Sequence, residues 1–183
     1  RWQSSAERSR CDPMTRHQRR LCEPGTQPPL NPTRMRAVIQ RVTSATVTVE
    51  NRLVGAIELG LLVYVGITHA DGAGETAYMA NKIVGLRLFA DADGRFSRSV
   101  HDVDGAVLLV SQFTLYGDCR RGRRPSFDKA ATPDAARAVY ERLGDAVRER
   151  GVSVRLGEFQ AHMTVASTND GPVTLLLDSG RDF

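Results

Sequence analysis

The sequence predicts a mixed α/β domain in which two main helices pack on one side of mixed sheets. Several short runs carry apolar residues at every second position or continuously, as strands do, and two longer runs carry them at helical spacing. Their order along the 183 residues is β-β-β-α-β-α-β-β-β. Strands and helices mixed in this way are typical of an arrangement with helices against a sheet.

The first three predicted strands are consecutive. In the second half of residues 37–49, apolar residues alternate with threonines, a period of two that places one face of a strand inside. Glu50-Asn51-Arg52 suits a hairpin turn into a second strand over 53–59. Residues 61–67 are almost continuously apolar, which indicates a central strand.

Apolar residues at helical spacing predict one helix over 75–88 and a second over 133–150. Thr132 is a suitable N-cap for the second helix, and Pro133 stands at the first helical position, where its missing N–H costs nothing. Gly151 ends this helix. The remaining predicted strands are 107–110, between the helices, and 153–156, 162–167 and 173–177 after them.

Residues 1–34 differ in composition from the rest of the chain. They hold seven arginines, three acidic residues and five of the eight prolines, with almost no apolar periodicity. Such a segment cannot bury enough surface to offset the entropy of ordering it, so we expect a disordered basic extension before a domain over 35–183. Three interpretations stay open: an inert or artefactual extension, an arm that contacts RNA, and a targeting peptide, which the prolines disfavour.

The cysteines and histidines predict neither a disulfide framework nor a metal site. Cys11, Cys22 and Cys119 are an odd set without metal-ligand spacing, and the four histidines are scattered, so we expect a cytoplasmic protein without cofactors. No apolar run reaches the ~20 residues of a membrane span, and we expect no membrane partner.

Two polar segments form the candidate site: 111–115, Ser-Gln-Phe-Thr-Leu, and 169–174, Asn-Asp-Gly-Pro-Val-Thr. Neither contains a general-base His, a paired carboxylate or a nucleophilic Cys. Hydroxyls, amides and Gly-Pro backbone suit a pocket that positions a substrate with main-chain groups. If strand 107–110 continues through Ser111, side chains alternate between two faces, with Gln112 and Thr114 on the same one. Taken alone, these residues could equally be a polar strand end and a plain turn.

In this order and near this separation, the two segments resemble the signature motifs of the D-aminoacyl-tRNA deacylases. Residues 35–42 and 123–127 are similar to other parts of that family, as is 159–163, which usually reads Phe-Gly-Ala-x-Met there. The resemblance therefore covers about residues 35–180. Gln160 departs from the pattern, because the family typically has Gly at this position.

The resemblance implies a homodimer with a three-layer α/β/β fold that hydrolyses the ester of D-aminoacyl-tRNA. It implies that the Gly171-Pro172 bond is cis and that this dipeptide enters the partner's pocket, giving a cross-subunit active site. Rigid carbonyls there would reject an L side chain by repulsion, whereas a filter based on affinity would gain only ~1–3 kcal/mol. Achiral glycine could still enter, so tRNA charged with D-amino acids or with glycine is the expected partner.

Further residues receive roles from the same resemblance. Arg41 matches a position whose guanidinium braces the Gly-Pro carbonyl, although a strand Arg is more often a solvated residue. Phe159 and Met163 would line the adenine or aminoacyl side, with simple core packing as the alternative. Asn169 and Asp170 are expected to hold the Gly-Pro turn through bonds from side chains to backbone.

The catalytic assignment rests on Ser111, Gln112, Phe113 and Thr114. Thr114 is a poor nucleophile without an adjacent base, and no nearby residue supplies one. We therefore expect the ribose hydroxyl beside the ester to assist hydrolysis. Main-chain amides around Phe113 and Thr114 would stabilise the oxyanion, while Thr114 and Gln112 orient the terminal adenosine and water.

Arg120, Arg121, Arg123 and Arg124 surround Gly122. Such a cluster suits tRNA phosphates, and a solvated surface loop is the alternative. A non-catalytic tRNA-binding dimer and a metabolic dimer with an apolar interface are the competing functions. The neutral folded domain and the lack of stacking-aromatic motifs disfavour the first of these.

Overall fold

The computed structural model describes residues 34–120 and 122–181. The predicted extension over 1–34 lies outside this part of the chain except for Arg34. The elements, in chain order, are strands β1 (Arg36–Val49), β2 (Arg52–Ile57) and β3 (Gly60–Gly66), helix α1 (Ala73–Gly85), strands β4 (Phe89–Ala90), β5 (Phe96–Arg98) and β6 (Ala106–Ser111), a 3-10 helix (Phe113–Tyr116), helix α2 (Pro133–Arg148), and strands β7 (Ser153–Leu156) and β8 (Thr164–Asp178).

A six-stranded mixed sheet organises the fold, with the order β2-β1-β3-β6-β7 and β8 paired to β1. The first half of β1 pairs antiparallel with β3 and its second half with β2. Strand β8 pairs antiparallel along the other edge of β1. The pairs β3–β6 and β6–β7 are parallel. Strand β1 thus pairs with three other strands, β2, β3 and β8.

The central strands are buried on both faces, as their continuous apolar sequences predict. On β3, Leu61 and Val63 pack in a cluster that also contains residues of α1 and α2. Leu62, between them, packs in a second cluster with residues of β1, β2 and β6. Both helices therefore cover one face, which confirms the mixed α/β class, and the far ends of β1 and β2 cover the other.

The hairpin between β1 and β2 lies where the sequence places it. Glu50 and Asn51 have φ angles of 48° and 64°. Two consecutive left-handed residues are the geometry of the two-residue turn whose twist matches that of paired strands.

Two sequence predictions are wrong in detail, and one small sheet was missed. Residues 164–167 of the first predicted segment and all of 173–177 belong to the single strand β8, which pairs with β1 on both sides of a bulge, while His162 and Met163 precede it. Helix α1 ends at Gly85 and not at 88, since Leu86 is already extended with ψ 126°. The small β4–β5 sheet was not predicted, because strands of two and three residues show no periodicity.

Candidate active site

A cavity of about 560 Å³ lies at the carboxyl end of β6. Its lining is mostly apolar and comes from the ends of β3 and β6, from the 3-10 helix, from residues 127–136 and from the segment between β7 and β8. Five residues selected from the sequence line it: Ser111, Gln112, Phe113, Phe159 and Met163. The structure thus brings two sequence-distant groups of predicted residues into one cavity.

The chain turns sharply where β6 ends. Gln112 N–H donates to the Val65 carbonyl at 2.7 Å, and the 3-10 helix begins at the next residue. The predicted alternation of side chains through Thr114 is therefore wrong, because the strand ends at Ser111. Gly66 permits this close approach, since a Cβ there would lie 3.1 Å from the Gln112 carbonyl oxygen.

The turn presents main-chain donors. Its first backbone bond runs from Leu115 N–H to the Gln112 carbonyl at 3.2 Å. The N–H groups of Phe113 and Thr114 precede that bond, and the first N–H groups of any helix lack acceptors within it. Two adjacent N–H groups beside a cavity are suited to binding negative charge.

Thr114 is exposed, and its hydroxyl accepts a hydrogen bond from the Gln112 side-chain amide. An amide donor cannot remove a proton from a hydroxyl, so this contact orients Thr114 without activating it. Among the catalytic candidates, Ser111, Gln112 and Phe113 line the cavity, whereas Thr114, the next residue, is not among its lining residues.

Aromatic side chains form two walls of the cavity. Phe113, which is 58% exposed, meets Phe127 edge to face with centroids 5.0 Å apart. On the other side, Phe159 packs 5.8 Å from Tyr140, whose hydroxyl donates to the Leu109 carbonyl at 2.7 Å. These contacts fix the aromatic rings within each wall, and the apolar lining suits a flat or apolar group.

Gln160 also lines the cavity, and its φ angle is +66°. Glycine adopts this left-handed conformation readily and other residues do so at a cost, which explains the glycine usual in the family motif. The Gln160 side chain accepts a hydrogen bond from Arg137 at 3.3 Å, and the Arg137 guanidinium lies over the Phe159 ring at 4.8 Å. Arg137 was not predicted, because nothing in the helical pattern distinguishes it from a solvated residue.

The second polar segment is a bulge within β8. Val42 pairs with Asn169 and Gln40 with Thr174, so residues 170–173 stand opposite Arg41 alone. We call residues 170–173 the Gly-Pro bulge. The Gly171-Pro172 bond is cis, which confirms the prediction, and both residues are exposed.

Side chains at its base hold the Gly-Pro bulge. The Asn169 side chain accepts from Val173 N–H at 2.8 Å and donates to the Thr174 hydroxyl at 3.0 Å. This confirms the prediction for Asn169. Asp170 acts differently, because its carboxylate pairs with the Arg41 side chain at 2.9 Å and not with backbone.

Arg41 is buried, with 8% of its surface exposed. Its Nη1 donates to the Leu88 carbonyl at 2.6 Å, and its Nε donates to the Asp170 carbonyl at 3.2 Å. The guanidinium therefore braces the residue before Gly171, whereas the resemblance implied the Gly-Pro carbonyl itself. Phe96, from the β4–β5 hairpin, covers it at 5.1 Å.

The two motifs do not meet within one chain. The described residues that line the cavity include none of Arg41, Asn169, Gly171 and Pro172. Each chain thus presents a cavity and, separately, an exposed Gly-Pro bulge.

The predicted arginine cluster is only partly free. Arg120 Nε donates to both oxygens of Asp118 at 2.9 and 3.1 Å, and Arg123 and Arg124 are exposed. Arg121 lies outside the described residues. In the part of the chain that the structure describes, no group of three His, Cys, Asp or Glu is placed to hold a metal ion, and no helix is long and apolar enough to cross a membrane.

Fold and site together define an α/β protein whose cavity offers a ligand main-chain donors, hydroxyls and aromatic walls. Residues 38–178 match the model of the D-Tyr-tRNA(Tyr) deacylase family. The chain is 56% identical over 149 residues to the D-aminoacyl-tRNA deacylase of Thermotoga petrophila, covering 81% of this chain and 100% of that protein. It is 59% identical to the Thermus aquaticus protein of the same name, over 80% of this chain and 97% of that one. The chain therefore belongs to this deacylase family, as the sequence motifs predicted.

Solved structures agree on the fold. The c-Myc DNA Unwinding Element Binding Protein superposes with a TM-score of 0.73 at 39% identity, over 78% of this chain and 97% of that one. A probable eukaryotic D-amino acid tRNA deacylase has a TM-score of 0.69 at 20% identity, over 80% of this chain and all of that one.

Proposed function

We propose that this protein hydrolyses the ester of D-aminoacyl-tRNA, and of glycyl-tRNA, releasing the amino acid and free tRNA. The observation that carries the proposal is the adjacency of the Phe113 and Thr114 N–H groups to an aromatic-walled cavity, in a chain that also exposes a braced Gly-Pro bulge. Relatives that are 51–59% identical to the chain are named D-aminoacyl-tRNA deacylases, which supports the first of these two substrates.

The chemistry requires little from side chains. A water oxygen attacks the ester carbonyl carbon, and the bond from that carbon to the ribose oxygen breaks. The ribose hydroxyl beside the ester accepts a proton from the water and passes its own proton to the departing ribose oxygen, so the products are a carboxylic acid and intact tRNA. The Phe113 and Thr114 N–H groups stabilise the oxyanion that forms during attack.

The remaining cavity residues position the substrate. Phe159 and Met163 take the terminal adenine, a flat group that suits the space between aromatic walls. The bonded pair Gln112 and Thr114 orients the ribose and the water, and Ser111 at the strand end completes the polar side. Positioning of this kind is worth several kcal/mol of barrier without any acid or base.

Chiral selection comes from the Gly-Pro bulge of the partner subunit. Gly171 and Pro172 are exposed, while Arg41 and Asn169 fix the residues on either side of them. An exposed but braced dipeptide is suited to entering a second molecule's cavity and to colliding with an L side chain there. Repulsion of this kind leaves the D configuration and glycine unhindered.

A homodimer explains the surface of β8. This strand pairs with β1 along one edge, and among the described residues no strand covers its other edge. Leu176, on the same strand, is 62% exposed. A long open edge with exposed apolar residues is usually protected or paired in a soluble protein. Pairing near β8 would also bring the Gly-Pro bulge to the partner.

Subunit mixing tests the cross-subunit site. Ala131 lines the cavity, so Ala131→Trp fills it and produces an inactive chain. Pro172→Ala loosens the filter and produces a chain that also hydrolyses the L-ester. In a 1:1 mixture about half of the Pro172→Ala cavities receive an intact bulge from the other variant, so L-ester hydrolysis per Pro172→Ala chain falls to about half. Unchanged L-ester hydrolysis in mixed dimers would place the filter within one chain.

We also propose that the domain over 35–183 acts in the cytoplasm, where charged tRNA is used, and that residues 1–34 are dispensable for catalysis. The arginines of the predicted cluster would contact tRNA phosphates: Arg120, Arg121, Arg123 and Arg124. Deleting 1–34 should leave hydrolysis of the D-ester unchanged. Loss of hydrolysis would make the extension a functional arm.

A further inference from the structure

A second concavity lies on the other side of the 3-10 helix. It is lined by Arg36, Lys129 and the segment 116–120, and we call it the basic groove. The deacylation chemistry described above makes no use of it. Phe113, at one end of the 3-10 helix, lines the cavity, and Tyr116, at the other end, lines the basic groove. The helix is therefore a common wall.

One cation of the basic groove, Arg36, is held in place by its contacts. Arg36 is half-buried, its Nη1 donates to the Leu115 carbonyl at 3.1 Å, and its guanidinium lies 5.2 Å from the centre of the Tyr116 ring. Tyr116 is itself anchored, since its hydroxyl donates to the Arg34 carbonyl at 2.6 Å. A guanidinium held in this way loses less side-chain entropy when it binds an anion.

The charge of the basic groove stays positive. Arg120 forms a two-oxygen pair with Asp118, and this guanidinium holds the pKa of the Asp118 carboxyl well below its usual range. Asp118 therefore offsets one cation at neutral pH. Arg36 and Lys129 remain, which gives the groove a net charge of about +2.

The backbone of Lys129 is anchored beside the cavity. Its carbonyl accepts from the Thr68 hydroxyl at 2.7 Å, and the next residue, Ala130, lines the cavity. A rise of about 2 Å per residue separates Phe113 from Tyr116 by about 6 Å along the 3-10 axis. A nucleotide strand whose 3′ end occupies the cavity therefore has to cross only this short helix to reach the basic groove.

We infer that the basic groove binds phosphate groups of the nucleotide strand that leads to the 3′ end held in the cavity. The inference rests on the proposed function for the identity of that strand. Backbone phosphates carry no sequence information, so cations at this place position the 3′ end of any tRNA equally. Arg36 and Lys129 are thereby positioning residues distinct from the exposed arginines at 123 and 124.

Binding of uncharged tRNA, measured over a range of salt concentrations, tests this inference without any ester. Lys129→Gln should reduce the slope of log affinity against log salt by about 0.7–0.9 and weaken binding roughly three- to tenfold at 0.1 M salt. Lys129→Arg keeps the charge and should keep the slope. Arg142→Gln, an equal charge change on an exposed position of α2, is the matched control and should leave the slope unchanged.

Asp118→Asn provides a test with the opposite sign. It removes the carboxylate charge that offsets Arg120, so tRNA affinity at low salt should rise. In single-turnover hydrolysis, Lys129→Gln should need a higher enzyme concentration to reach its half-maximal rate, whereas Arg142→Gln should match the wild type.

The outcomes separate the two proposals. If the wild type hydrolyses the D-ester but wild type, Lys129→Gln and Arg142→Gln have equal salt slopes, phosphate binding in the basic groove is refuted and the enzymatic function is retained. Loss of slope in Lys129→Gln without any hydrolysis by the wild type would support the groove and refute the enzymatic function. An equal loss of slope in Lys129→Gln and Arg142→Gln would also overturn the proposal for the basic groove, since the overall charge of the protein would then explain the effect.

Discussion

Replacing Arg41 with methionine should destabilise the fold and disorder the Gly-Pro bulge. Methionine retains an unbranched apolar stem, so the change removes mainly the guanidinium and its bonds. Three groups lose their partner: the Leu88 carbonyl, which is bonded within the buried core, the Asp170 carbonyl, and the Asp170 carboxylate, whose side chain is 44% exposed.

The magnitude follows from these three contacts. Leaving a buried carbonyl without a donor costs about 1–3 kcal/mol. The ion pair with Asp170 is worth at most about 1 kcal/mol, because the carboxylate is partly in water. The bond to the Asp170 carbonyl is worth about 0.5–1.5 kcal/mol. The free energy of unfolding should therefore fall by about 1.5–5.5 kcal/mol. Asp170→Asn, which loses only the charge, should cost less than about 1 kcal/mol.

Urea unfolding of the two variants measures the difference, and hydrolysis of D- and L-esters measures the filter. Arg41→Met should hydrolyse the L-ester faster than the wild type does, since the bulge is no longer braced, whereas Asp170→Asn should retain most of the selectivity. Equal stability of Arg41→Met and wild type, with unchanged selectivity, would refute the bracing role of Arg41.

Three other predictions concern the catalytic turn, the cavity wall and a half-buried carboxyl. Thr114→Ala should slow D-ester hydrolysis less than removal of the ribose hydroxyl beside the ester does; normal reaction of the deoxy substrate with an inactive Thr114→Ala variant would make Thr114 the nucleophile. Gln160→Gly removes the strain of a side chain at a left-handed φ angle. Thermal unfolding should therefore show unchanged stability or a gain of up to about 1 kcal/mol. A loss of stability would show that the contact with Arg137 outweighs the strain. Burial raises the pKa of Asp71 from 3.8 to about 6, against the lowering effect of N–H bonds from Thr68 and Met35. Its contribution to stability is therefore complete below pH 3.8 and is lost as the pH rises through 6, so the stability of wild type relative to Asp71→Asn should fall by about 1 kcal/mol over this range, after allowance for its partial exposure. A constant difference in unfolding free energy between the two proteins from pH 3.5 to 7 would show that Asp71 titrates normally.

Local signals predicted much of the scaffold. Helix α2 begins at Pro133 and ends two residues before the predicted limit, because a proline at the first position and a glycine after the last turn act through local geometry. The burial of β3 on both faces followed from its continuous apolar sequence. The family motifs indicated most of the polar cavity residues.

Long-range contacts account for what the sequence did not predict. The burial of Arg41 depends on Asp170 and Leu88, which are 129 and 47 residues away in the chain. The Gly-Pro bulge arises from a shift in pairing between β1 and β8, and a shift in register leaves no local pattern. The 3-10 helix after Ser111 depends on the bond from Gln112 to Val65 on a neighbouring strand.

Single-turnover hydrolysis of matched D-Tyr-tRNA and L-Tyr-tRNA tests the central claim most directly. With the enzyme in excess over the substrate, the rate constant reports the chemical step and chiral selection without product release. We predict rapid release of D-tyrosine, with an L-ester lifetime equal to that in buffer alone. Hydrolysis of both esters at the same rate would contradict the filter, and stability of both would contradict the enzymatic function.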